Sequence, residues 1–264
     1  MVPLFPFPSL RDVIIFVLVL GRVAGIFAAM PSFGAQTVPM NIKALAVFMI
    51  TLVCFPVLKI IPPPMPTDTF SLGLLVLREF AVGLTLALVA QMVFSAVEFS
   101  GQIIGMQMGL TIASILDPTR GGQVQLMSVL QSLLATLLFL ALDVHHMFIR
   151  AIIESFSVVP IGGWHITGEL ISFLVQRTSD IFVIGIRLAA PVMVSLLLAT
   201  VALGIMARAF PQMNIFIVSM PLHIGLGFLI MGGTLMIFFH VLEVSFGNLN
   251  GHITTLFRLM AKGG

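Results

Sequence analysis

Six long apolar runs constrain what this chain can become: Val13–Met30, Ala44–Ile61, Phe70–Val97, Val124–Val144, Ile181–Ala209 and Ile215–Val244. A helix needs about 20 predominantly apolar residues to cross the hydrocarbon of a bilayer. Each run meets or approaches that length, and the third and the last two exceed it, so those must tilt or project beyond the bilayer. The composition agrees, with 59% of residues hydrophobic and 8% charged, where a soluble domain carries about 25% charged. The expected fold is an all-α polytopic membrane protein of six long hydrophobic helical segments. A formal charge of +2 with no basic run speaks against a nucleic-acid partner.

The runs are separated by strong punctuation. Pro31–Pro39 and Pro62–Pro66 end the first two. The third continues into Gly101–Gly122, GQIIGMQMGLTIASILDPTRGG. Gly101, Gly105 and Gly109 fall every fourth residue, so on a helix they line one face and admit close backbone contact. Asp117-Pro118 ends the element, since proline lacks an amide donor and disfavours helix before it. Connectors usually run over wetted surface and are polar, yet this one carries Leu110, Ile112, Ile115 and Leu116. Two readings stay open from the residues: ordinary helix packing followed by a surface loop, or a re-entrant segment lining or closing a pore.

The remaining stretches are less marked. Residues 147–179 form the longest non-membrane stretch, with an Arg150–Glu154 pair at helical spacing, the turn Val158–His165 and a short amphipathic element from Glu169 to Arg177. The last two runs form a hairpin joined by a tight polar link, Arg208–Asn214. A division into residues 1–179, containing four segments, and 180–264, containing two, follows.

Charged residues inside apolar runs are costly and should face protein or water. Arg22, Glu79 and Arg187 are the buried charges expected here, pairing within the chain or across subunits. Asp143, His145 and His146 close the fourth run, but their spacing matches no helix-face metal motif, and they are read as a solvated helix end. The single cysteine, Cys54, sits in an apolar run and is read as a small buried hydrophobe. No metal or cofactor is expected. HExxH, GxSxG and GxxxxGK[ST] are absent, so an enzyme is not expected either.

The chain has no tyrosine, one tryptophan (Trp164), 23 phenylalanines and 17 methionines. It therefore cannot build the Trp/Tyr belts that flank most bilayer-spanning proteins. Flanking charges lean, by the positive-inside rule, toward cytoplasmic termini: Arg11, Lys59, Arg150, Arg177, Arg258 and Lys262 against Lys43, Arg120 and Arg208.

Taken in order, LGRVAGIFAAMPSFG, REFAVGL around Glu79 and Gly83, SGQIIGMQMGL with Asp117-Pro118, the His145-His146 segment and RAFPQMNIFIVSMPL resemble one family across nearly the whole chain. It is the R subunit of the flagellar type III secretion export gate, the FliR family. The resemblance implies a helical hetero-oligomeric gate built with P and Q subunits, in which the first four segments are P-like and the final hairpin Q-like. It implies a gated pore passing unfolded flagellar proteins across the bacterial inner membrane, in the flagellar basal body.

The same resemblance places the family's plug loop on Met106–Gly122, within residues 101–122. Gly101, Gly105 and Gly109 would permit bending. Met106, Met108, Leu110, Ile112, Ile115 and Leu116 would form a deformable seal, and Asp117 and Pro118 would fix the turn. Arg208, Pro211, Gln212 and Asn214 would meet an FlhB-like switch protein at the cytoplasmic entrance, with an FlhA-like export protein as a further partner. The assembled gate would be raised toward the periplasm, which gives the missing aromatic belts a reason. That places the hairpin link in the cytoplasm and both termini opposite, against the charge count. The rival readings are a secondary transporter of a small solute and a non-gating assembly scaffold.

Overall fold

The computed structural model describes residues 9–30, 39–58, 68–110, 126–212 and 214–261. Every regular element among them is helical: α1 (Leu10–Ala29), α2 (Met40–Cys54) extended by a 3-10 turn at Phe55–Val57, and α3 (Thr69–Gln107). Then come α4 (Leu126–Ala141), α5 (Val144–Val158), α6 (Gly168–Ala209), α7 (Ile215–Gly233), α8 (Leu235–Gly247) and α9 (Leu249–Ala261). Four of these, α1, α2 with its extension, α3 and α6, are long and apolar enough to cross a membrane. Two bent pairs, α4 with α5 and α7 with α8–α9, meet the same criterion together, giving up to six spans. The chain is an all-α polytopic membrane protein. At 1.5 Å per residue the 42 residues of α6 reach about 60 Å, twice the hydrocarbon thickness.

Three boundaries differ from the sequence reading. The fourth run stops as helix at Ala141, short of Val144, and the first part of the non-membrane stretch after it belongs to the helix α5. Val144, Phe148, Ala151, Ile152, Ser155 and Phe156 recur at helical spacing and are buried, which is why an amphipathic helix forms there. The short element Glu169–Arg177 is the beginning of α6, because no breaker separates Arg177 from Ile181 and Pro191 is accommodated inside the helix. The last run breaks at Thr234, directly after Gly232-Gly233.

The helices form two compact units, one of Met1–Gln91, Asp143–Arg177 and Phe246–Gly264, the other of Met92–Leu142 and Thr178–Ser245. These do not follow chain order, since α9 belongs with α1. In the first unit, α1 opens on a capping box: Ser9 Oγ accepts from the Asp12 amide at 3.3 Å, and Asp12 Oδ2 accepts from the Ser9 amide at 3.1 Å. Such a cap stabilises a helix start by about 1 kcal/mol. Further along, α1 crosses α3 backbone to backbone. A Cβ on Gly25 would collide with the Phe80 carbonyl, and one on Gly83 with the Arg22 carbonyl. Amphipathic α9 buries Leu249, Ile253, Leu256, Phe257 and Met260 and packs on α5. Cys54 is buried and free, as a small hydrophobe would be.

In the second unit, the end of α3 meets α4 equally closely. A Cβ on Gly101 would collide with the Ser128 backbone, and Ser128 Oγ donates to the Glu98 carbonyl at 2.9 Å. The core here is Ile104, Met108, Met127, Ala189, Val192 and Leu196, drawn from α4, α6 and the end of α3 with the turn that follows it.

Candidate functional site

The stretch with three spaced glycines does not behave as one face of one helix. Gly101 sits at the close crossing just described. Gly105 is buried but has room, because an added Cβ would lie 3.7 Å from Met127 Cβ, an ordinary contact. Gly109 lies beyond the end of α3 at φ +76°, where a side chain would be strained, and its amide donates to the Met106 carbonyl at 3.0 Å. The three therefore serve for close approach, a roomy packing position and a turn, in that order.

That turn aims Met108 inward. Met108 is fully buried, whereas Met106, two residues earlier, is 60% exposed. The Met108 thioether packs on α7 where Gly227 leaves space: its Cγ, Sδ and Cε lie 2.7, 2.8 and 2.9 Å from where a Gly227 Cβ would stand. Leu110 packs, half-buried, against the same cluster, as do Ile224, Leu226 and Ile230. Ile112, Ile115, Leu116, Asp117 and Pro118 lie outside the described residues. Met108 is thus a flexible, polarisable side chain seated on bare backbone, a packing mode suited to reversible contact.

The expected buried charges separate into two kinds. Arg22 and Glu79 are 0% and 1% exposed and pair with each other. Arg22 Nε donates to Glu79 Oε2 at 2.6 Å, and Nη2 approaches the same oxygen at 2.6 Å. Nη1 donates to the Ser155 and Val159 carbonyls at 2.9 and 3.0 Å, at the end of α5, where a cation complements the helix dipole. Glu79 Oε1 accepts the Gly162 amide at 2.9 Å, from a turn in which Gly162 has φ +77°. The Phe156 ring lies 4.1 Å from the Arg22 guanidinium carbon. Removing either charge from such a pair costs about 3–5 kcal/mol, because the other is left buried and unpaired.

Arg187 is exposed on α6, beside a narrow cleft that Gln131 and Thr234 also line, and has no ion pair among the described residues, so of the two pairings expected for it only one across subunits is left. Arg150 and Glu154 are exposed and have no ion pair among the described residues, lining one recess instead of bridging. Arg208, Pro211, Gln212 and Asn214 are all exposed at the link between α6 and α7. Asp143, His145 and His146, whose spacing spoke against a shared site, are brought together at the start of α5.

The family model described as bacterial export proteins, family 1, matches residues 13–249. The chain belongs to this family. Among curated relatives of this export-family member, the flagellar biosynthetic protein FliR of Bacillus subtilis (strain 168) is 33% identical over 219 residues, covering 82% of this chain and 84% of that one. FliR of Caulobacter vibrioides is 30% identical over 221 residues, covering 84% and 88%. FliR of Escherichia coli (strain K12) is 31% identical over 210 residues, covering 80% of each. The matched region runs from within α1 through α8 and contains every site residue described above.

Sequence reasoning named Arg22 and Glu79 without joining them, because 57 residues separate them. It missed Gly227 as the seat of Met108. The only signal was a glycine-rich α7, and nothing in the sequence says which side chain such a groove receives.

Proposed function

We propose that this chain is a subunit of the flagellar type III export gate in the bacterial inner membrane, helping to conduct unfolded flagellar proteins through a pore it helps to close. Membership of a bacterial export family and the named relatives support the flagellar role. The observation that carries the gating part is the seat of Met108 on Gly227. Met108 and Leu110, directly before Thr111, are held in an apolar cluster that would serve as the root of a plug. Met106 and Met108, with Leu110, Ile112, Ile115 and Leu116, would form a seal that dewets and blocks ions.

In this reading residues 1–179 are P-like and residues 180–264 Q-like, and the chain assembles with P and Q subunits. Apolar side chains left exposed along α6, among them Ile186, Val194, Leu197, Leu198, Val201 and Ile205, supply surface for those neighbours or for lipid. The exposed Arg208–Asn214 link would meet the switch protein at the cytoplasmic entrance, and the assembled gate would stand toward the periplasm. The chain would act without catalysis, and the energy for export would come through partner proteins.

Disrupting the gene in its own host tests the flagellar role. Secretion of flagellar proteins should stop and return on expression of the intact chain; secretion that persists in its absence would overturn the proposal.

A further inference from the structure

At the start of α5, Asp143 is left-handed (φ 54°), the one non-glycine residue with positive φ among the described residues. An aspartate at a helix N-cap ordinarily turns its carboxylate back to accept an amide of the first turn. Asp143 makes no such bond. Its Oδ1 stands 3.1 Å from His146 Nδ1 and 3.9 Å from His145 Nε2. The two imidazole centroids are 4.1 Å apart, and one ligand atom from each of the three residues falls within 4.8 Å of the others.

A lone Asp143–His146 hydrogen bond accounts for the shorter distance. It does not account for the second imidazole turned toward the same oxygen. We propose that Asp143, His145 and His146 bind a divalent transition-metal ion. One carboxylate oxygen and two imidazole nitrogens form a borderline donor set, which suits zinc, nickel or cobalt(II) over magnesium or calcium, whose sites are built from oxygen alone. Asp143 and His146 are exposed and His145 partly so, leaving coordination positions open to water. A recess of ≈ 560 Å³ adjoins them, lined also by Met147, Arg150, Glu154 and Asn250. Bound metal would tie Asp143, which stands before α5, to His145 and His146 in its first turn. It would fix the start of the helix whose other end holds Arg22.

The probe is Co²⁺, whose visible ligand-field absorption reports coordination. The full chain is purified without a histidine tag, stripped with chelator and titrated, and Zn²⁺ is then added as competitor. One Co²⁺ per chain should bind saturably and be displaced by zinc. Affinity should fall about tenfold or more in Asp143→Asn, His145→Ala and His146→Ala, and stay unchanged in His165→Ala. Asparagine caps helices and tolerates the left-handed conformation, so Asp143→Asn keeps the fold, and an unchanged thermal transition verifies that. Absence of saturable binding, or equal binding by all four variants, would overturn the proposal.

Discussion

The side chain of Met108 occupies the space that a Cβ on Gly227 would require. A methionine and a glycine 119 positions apart thus make one contact (227 − 108), and it anchors the segment proposed to close the pore. The atoms in conflict belong to the flexible end of Met108, so Gly227→Ala should be absorbed by a small rotation. Gly227→Val should expel the side chain and raise ion leak through the assembled gate. Adding Met108→Ala to Gly227→Val should not double the effect, because both act on one contact. Leak that is additive in the double variant would argue against a shared seat.

Arg22 and Glu79 tie α1 to α3 and, through Ser155 and Val159, to the end of α5. Arg22→Ala or Glu79→Gln should each lower stability by about 3–5 kcal/mol. Replacing both by methionine should recover part of that loss but not all, since the α5 carbonyls would still lose their donor. Thermal unfolding of the purified variants measures this.

The three glycines at the end of α3 should respond differently to alanine. Gly101→Ala meets the Ser128 backbone and should sharply reduce the amount of folded chain. At Gly105 there is room, and alanine is the better helix former by about 1 kcal/mol, so that variant should be neutral or slightly stabilising. Gly109→Ala faces strain at φ +76° and should fall between the two. Relative melting temperatures give the order.

Arg187 is exposed on an apolar helix and lacks an ion pair among the described residues. In hydrocarbon such a charge costs about 2.5–3.5 kcal/mol, which a neighbouring subunit or water must offset. Arg187→Ala should leave the melting temperature of the isolated chain within about 0.5 kcal/mol of equivalent stability. It should lower the yield of P and Q subunits recovered with the chain. Unchanged recovery would assign Arg187 to a water-filled face.

Much of the architecture was legible in the sequence because apolar length alone fixes membrane helices. The burial of Arg22 and Glu79 followed from the cost of charge in lipid, whereas the turn at Gly109 did not follow from glycine spacing, which had placed Gly109 on a helix face. What was not legible came from partners distant in sequence. The Met108 seat depends on α7, and the crowding of Gly101 on Ser128 depends on the approach of α4. The equal treatment of Gly101, Gly105 and Gly109 failed for the same reason: spacing gives the face, while the neighbour decides which position is tight. Asp143, His145 and His146 looked unsuited to converge because their spacing was judged on a continuous helix. The left-handed Asp143 stands outside α5 and removes that constraint.

Gate closure by this chain is tested most directly by ion leak across the inner membrane of cells expressing the P and Q subunits with a chain lacking Met106–Gly122. Assembly of the complex is verified in the same cells. A gate predicts a large leak from a fully assembled complex. An assembled complex as tight as the intact one would contradict the account and leave the segment a role in packing alone.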